Sequence, residues 1–167
     1  MNMSIINITG GFIMNYREVT FESIPLVGEC VHYETAAEAR RSIQSYWTDF
    51  TKRGKDKVLD QYHNQQISGF LGVLIPKPND RLDYMIAVSS DEQPAELEVR
   101  KIPVGRYLIF EAKGKLPYAL RKVMDDIHHE FLPKSHYKLR EAAILEHYLP
   151  GDIESDTYIS EIWIPIE

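Results

Sequence analysis

The chain has 167 residues, 44% of them hydrophobic and 26% charged, with a net charge of −6. That size suits one domain, or two small halves sharing a core, with the composition of an ordinary soluble globular protein. The acidic balance and the lack of a basic stripe argue against direct nucleic-acid binding. No apolar stretch approaches membrane-spanning length, and one cysteine, Cys30, leaves no intrachain disulfide or thiolate metal cluster.

The chain opens with MNMSIINITGGFI, which has no basic residue ahead of its apolar part. It is a poor signal peptide, so a cytoplasmic location is expected. Met14 begins MNYREVTF, a plausible start in itself. Residues 1–13 are therefore read as an N-terminal extension outside the fold, and the sequence leaves open whether they are ordered.

From Met14 the chain runs twice through one series of elements. Tyr16–Phe21 and Leu26–Tyr33 read as strands, rich in β-branched and aromatic residues. Thr35 is a helix N-cap with Glu38 three residues on, and Ile43, Tyr46, Trp47 and Phe50 follow at helical spacing up to about Lys52. Gly54 closes the helix. Strands at Ile67–Ile75 and Leu82–Val88 flank a PKPND turn.

After the polar break SSDEQP the series repeats. Strands are expected at Leu97–Ile102 and Arg106–Ala112. A helix follows over Lys115–Phe131, its apolar stripe marked by Leu116, Leu120, Val123, Met124 and Ile127, and Pro133 ends it. Strands at Leu139–Leu149 and Tyr158–Ile166 close the chain. The predicted class is α+β: two β-α-β-β modules, about 14–90 and 96–167, each an antiparallel sheet with one helix on one face. A ligand cleft between such pseudo-twofold halves is expected.

Four segments of the second half carry a family pattern: IPVGRYLIFEAKG (102–114), FLPKSHY (131–137), LEHYLP (145–150) and SEIWIPI (160–166). In this order and spacing they resemble the GyrI-like small-molecule-binding family, the effector-binding domain of AraC- and MerR-type regulators. The resemblance covers about 14–167 and is strongest in the second half. Phe131 stands where the family often has Trp, and Ile144 where an acidic residue is common. The resemblance implies two SHS2-like modules around a central cleft that holds amphipathic, often cationic, compounds. It also implies a stand-alone effector domain, since no segment is left for a helix-turn-helix; a separate regulator partner and the oligomeric state stay open.

Glu146 and Tyr148 alternate on one strand, and Glu161 and Trp163 on the next, so each pair shares a face of its strand. If both faces line the cleft, two carboxylates beside two rings suit a flat cation; otherwise the pairs are a solvent-facing edge. Partial burial would raise a glutamate pKa unless a ligand cation or an arginine compensates. Tyr107 matches the family tyrosine, but period alone does not decide which side of its strand faces the cleft. Trp47 and Tyr84 are further ligand candidates from the first module, with core packing as the other reading.

His128-His129-Glu130 puts adjacent histidines about 100° apart on a helix, which is surface spacing rather than metal-ligand spacing. No phosphate loop, nucleophile elbow or metal motif appears, so no cofactor and no metal are expected. The expected function is binding of amphipathic, cationic or aromatic small molecules. The alternatives are a hydrolase of cyclopropane-bearing electrophiles, with Glu146 or Glu161 activating water, and a protein-interaction role such as gyrase inhibition.

Overall fold

The computed structural model describes residues 4–8 and 12–167, with side chains from Met14 onward. The chain divides into two compact units: one of residues 1–22 and 104–167, the other of Ser23–Pro103. The elements are mixed α+β, as the sequence predicts. Among the described residues nine strands run β1 (Ser4–Ile8), β2 (Phe12–Phe21), β3 (Ile24–Tyr33), β4 (Phe70–Pro76), β5 (Leu82–Ser89), β6 (Glu98–Ile102), β7 (Gly105–Lys113), β8 (Ile144–Tyr148) and β9 (Ile159–Ile166). The helices are α1 (Ala36–Lys52), α2 (Lys55–Asp60), α3 (Tyr118–Asp126) and α4 (Leu132–Lys134).

The Ser23–Pro103 unit is built on antiparallel pairing in the order β4-β5-β3-β6. Thr35 caps α1 as expected: its Oγ1 accepts from the Glu38 backbone N–H at 3.0 Å, and Glu38 Oε2 accepts from the N–H of Glu34 at 3.0 Å. Gly54 follows α1 with φ 70°, a left-handed turn that glycine adopts without strain. The short α2 beyond it carries no sequence signal strong enough to foresee. Val27, Tyr84, Ile86 and Val88 form one apolar face of the sheet, packed with Phe50 and Leu59 of the helices. β4 starts at Phe70 rather than Ile67, because Gly69 turns left-handed at φ 68° and the Ile67 N–H donates to Ser89 Oγ at 3.0 Å.

The other unit repeats that order: β8-β9-β7-β2, with β1 added outside β2. Thus β2 pairs with β7 and β6 pairs with β3. Each half's leading strand, assigned by the sequence to its own module, pairs instead with a strand of the other half of the chain. Chain proximity suggested the first arrangement, but the pairing register of a polar-edged strand is set by tertiary context. β1 falls within the extension expected at residues 1–13 and pairs antiparallel with β2, Ser4 opposite Tyr16. Residues 1–3 and 9–11 lie outside the described residues.

The helix after β7 is not one continuous α-helix. After Asp126 it widens into a π turn at Ile127–Phe131 and closes with α4, which contains Pro133 and is followed by Ser135 as its C-cap. His128 and His129 are exposed, as their spacing suggests. Leu120, Ile127 and Phe131 pack against Tyr16, Leu108, Phe110, Ile162 and Ile164, the core of this unit. The strand expected from Leu139 shortens to β8, with Leu139 keeping one bridge to Ile166.

Candidate functional site

Antiparallel register decides which side chains meet on the sheet face opposite α3. Ile109 lies opposite Arg17 on β2 and Trp163 on β9; Glu111 lies opposite Glu161; Leu145 and His147 lie opposite Trp163 and Glu161. Directly opposed residues share a face. One face therefore carries Arg17, Val19 and Phe21 from β2, Tyr107, Ile109 and Glu111 from β7, Glu161 and Trp163 from β9, and Leu145 and His147 from β8. The other face packs under α3.

The two strands are adjacent and antiparallel as expected, but their register differs from the one that would bring Glu146 beside Glu161. Glu161 and Trp163 stand together as expected, and Tyr107 joins them. Glu146 lies opposite Ile162 and Tyr148 opposite Ser160, on the helix-bearing face, where Tyr148 packs against the core. The residue brought beside Glu161 is His147, one position along. The alternation within each strand is as read; the cross-strand offset is what the sequence pattern leaves undetermined.

Trp47 and Tyr84 sit in the other unit, in the core between α1 and the sheet. The Trp47 indole N–H donates to the Tyr84 hydroxyl at 2.7 Å, and Tyr84 is fully buried. Their geometry is that of packing partners.

Glu161 is 6% exposed and fully engaged. Oε2 accepts from an Arg17 guanidinium N–H at 2.8 Å, while Oε1 lies 2.8 Å from His147 Nδ1 and 3.2 Å from the donating indole N–H of Trp163. Burial by itself pushes the Glu161 carboxyl up, and the hydrogen bonds from His147 and Arg17 more than reverse it, leaving it at about 2. An ionised carboxylate has no proton to give, so His147 Nδ1 is the donor. Arg17 is thus the compensating arginine. The sequence signal for it was a lone cationic residue alternating with Val19 and Phe21 on a strand.

Aromatic groups surround this pair. Phe21 stacks on Trp163 with centroids 4.8 Å apart and planes 9° from parallel, and meets Tyr107 edge-on at 5.7 Å. The His147 ring stands edge-on to Trp163 at 5.5 Å. Tyr107 is fully buried, its hydroxyl has no hydrogen-bond partner among the described residues, and the Arg140 guanidinium lies 5.1 Å above its ring. Burial pushes the Tyr107 hydroxyl up, with Arg140 opposing. The glycine of IPVGRY makes this possible: Gly105 has φ 149°, and a Cβ there would meet the Arg140 guanidinium at 2.6 Å.

One other grouping of metal-type ligands occurs among the described residues. Cys30, His32 and Glu98 each bring a ligand atom within 4.8 Å of the others. Arg100 already supplies a cation there, at 3.3 Å from Glu98 and 3.8 Å from Asp83. Burial pushes the Cys30 thiol up to about 11, away from the thiolate that binds metal. No helix among the described residues is long and apolar enough to cross a membrane.

Comparison with known proteins matches this architecture. A bacterial transcription regulation protein of Staphylococcus aureus MU50 superposes with a TM-score of 0.86 at 31% identity, over 92% of this chain and 99% of its own. The structure of SAV2435 bound to tetraphenylphosphonium gives 0.86 at 31% identity, over 91% and 93%. An integron cassette protein of Vibrio cholerae shares the fold at 16% identity and a TM-score of 0.64, over 91% and 95%. A DNA gyrase inhibitor of Yersinia enterocolitica is 27% identical over 142 residues, 81% of this chain and 83% of the relative. The family model of Cass2, the integron-associated effector binding protein, matches residues 19–166, and the chain belongs to that GyrI-like effector-binding family.

Proposed function

We propose that the protein is a receptor for amphipathic small molecules, of cationic or aromatic character, that uses the unit containing Glu161. The observation that carries this reading is the ionised Glu161 set beside the stacked Phe21–Trp163 pair. Rings present apolar area and a negative π-face, and a carboxylate deprotonated at any physiological pH adds negative potential in a low-dielectric setting. The relative SAV2435, bound to the lipophilic cation tetraphenylphosphonium, supports the same ligand class. Tyr107, fully buried, backs the stacked pair edge-on to Phe21, while Glu146 and Tyr148 lie on the opposite face of the sheet. Titrating tetraphenylphosphonium by calorimetry into wild type and Trp163→Ala tests this: saturable binding that weakens at least about tenfold in the variant is expected. Equal affinity in both would remove the aromatic wall from the reading.

Hydrolysis of a strained electrophile is a second reading, favoured by the His147–Glu161 pair. Glu161 holds the proton on Nδ1, the arrangement that leaves Nε2 of a neutral imidazole basic. Glu161 itself, titrating at about 2, is a poor general base near neutrality. The base would be His147 in this case. Turnover of a cyclopropane-bearing electrophile by wild type and not by His147→Ala is the required result. Gyrase inhibition rests on the Yersinia relative alone and is tested by a supercoiling assay with the purified protein.

A further inference from the structure

Two carboxylates share this face, and only one is compensated. Glu111 on β7 lies directly opposite Glu161 on β9, a like-charge cross-strand pair that costs stability. Arg17 and His147 both serve Glu161. Glu111 is half-buried and has no hydrogen bond or ion pair among the described residues. With Arg17 committed to Glu161, and Lys113, two residues along the same side of β7, exposed, Glu111 is left without an ion pair. A second group also lacks a partner on the same side of the same strand: the Tyr107 hydroxyl, fully buried four residues before Glu111. Buried polar atoms ordinarily find partners.

From this we infer that Glu111 is the carboxylate that meets a bound cation, with Glu161 acting as the fixed counter-ion that positions Arg17, His147 and Trp163. A ligand pairing with Glu161 must displace a guanidinium hydrogen-bonded at 2.8 Å within the protein. A ligand pairing with Glu111 displaces nothing and relieves the repulsion between the two carboxylates. The ligand class follows: a monocation carried on an aromatic body, its rings near Trp163 and its charge within reach of Glu111. This rests on the receptor reading above and assigns its charge recognition to one residue.

Glu111→Gln separates binding from structure, because the two effects have opposite signs. Removing the uncompensated charge is expected to leave the melting temperature unchanged or higher, while tetraphenylphosphonium affinity falls at least about tenfold. Affinity for triphenylphosphine oxide, a neutral probe of similar aromatic bulk, stays within about twofold of wild type. Glu111→Lys places an ammonium beside Glu161 and abolishes cation binding with the fold retained. Wild-type cation affinity in Glu111→Gln, with the loss appearing only in Glu161→Gln, overturns the assignment and leaves the receptor reading standing. Failure of wild type to bind either probe overturns both.

Discussion

Arg17 and Glu161 meet at 2.8 Å although their strands, β2 and β9, flank β7 and do not pair with each other. Strands two apart are separated by roughly 10 Å, so the contact needs the full reach of an arginine across Ile109. Glu161 enters the interior as an anion because that guanidinium, with His147, compensates it.

The Glu161 pair makes stability depend on acid in a defined window. The carboxyl titrates at about 2 in the folded protein, against 4.5 ordinarily. A lowered folded pKa contributes stability that is fully present above the unfolded value and is lost as pH falls toward the folded one. Wild type should therefore exceed Glu161→Gln in unfolding free energy by about 3 kcal/mol at pH 7, with the gap closing between about pH 4.5 and 2. Urea unfolding of both proteins at pH 7, 4 and 2.5 measures it. A gap that stays constant across that range would contradict the pairing.

Trp163 contributes through its ring and through its N–H, and these separate. Trp163→Phe keeps a ring against Phe21 but loses the 3.2 Å bond to Glu161 Oε1. It is expected to cost about 1 kcal/mol and to leave tetraphenylphosphonium affinity within about threefold. Trp163→Ala removes a side chain only 3% exposed and should cost about 3–5 kcal/mol. Thermal unfolding alongside calorimetry distinguishes the two variants.

Glu146 provides a control on strand register. It lies opposite Ile162, on the helix-bearing face, so Glu146→Gln should leave ligand affinity unchanged within about twofold. His147→Ala removes a donor to Glu161 and should lower stability by about 1–3 kcal/mol. If Glu146→Gln alone abolished binding, the facing of β8 would need revision.

What the sequence could show follows from range. Period-two alternation placed Glu161 with Trp163, and the Thr35 cap placed α1 to the residue, because both depend on neighbours within four positions. The offset of β8 against β9 depends on how Leu149–Tyr158 turns, with Tyr158 donating its hydroxyl proton to the Leu149 carbonyl at 2.7 Å. That contact spans nine residues and has no periodic signature. The exchange of β2 and β6 between the two halves of the chain is longer in range still. Arg17 has no sequence signal linking it to Glu161 for this reason: its strand lies in the half of the chain that lacks Glu161.

Trp47 and Tyr84 belong to the packing of the Ser23–Pro103 unit, and a single oxygen tests it. Tyr84→Phe removes the acceptor that lies 2.7 Å from the Trp47 indole nitrogen. A loss of about 1 kcal/mol in unfolding free energy is expected, with tetraphenylphosphonium affinity the same as wild type. Loss of affinity without loss of stability would return Tyr84 to the ligand site.

Gly28 is the position where the fold tolerates no side chain. It lies mid-strand in β3, between Ala87 of β5 and Glu98 of β6. A Cβ there would stand 1.9 Å from the Ile86 carbonyl oxygen, a backbone atom that cannot rotate away. In an ordinary strand, alanine in place of glycine is neutral or favourable, since it lowers the entropy of the unfolded chain. At this position the clash must prise β3 from β5, so Gly28→Ala should lose roughly 3 kcal/mol or more, in the range reserved for backbone strain and core disruption. Hydrogen exchange should show the loss first in the amides of β3 and β5. A Gly28→Ala protein as stable as wild type would mean that the two strands do not approach as closely as described.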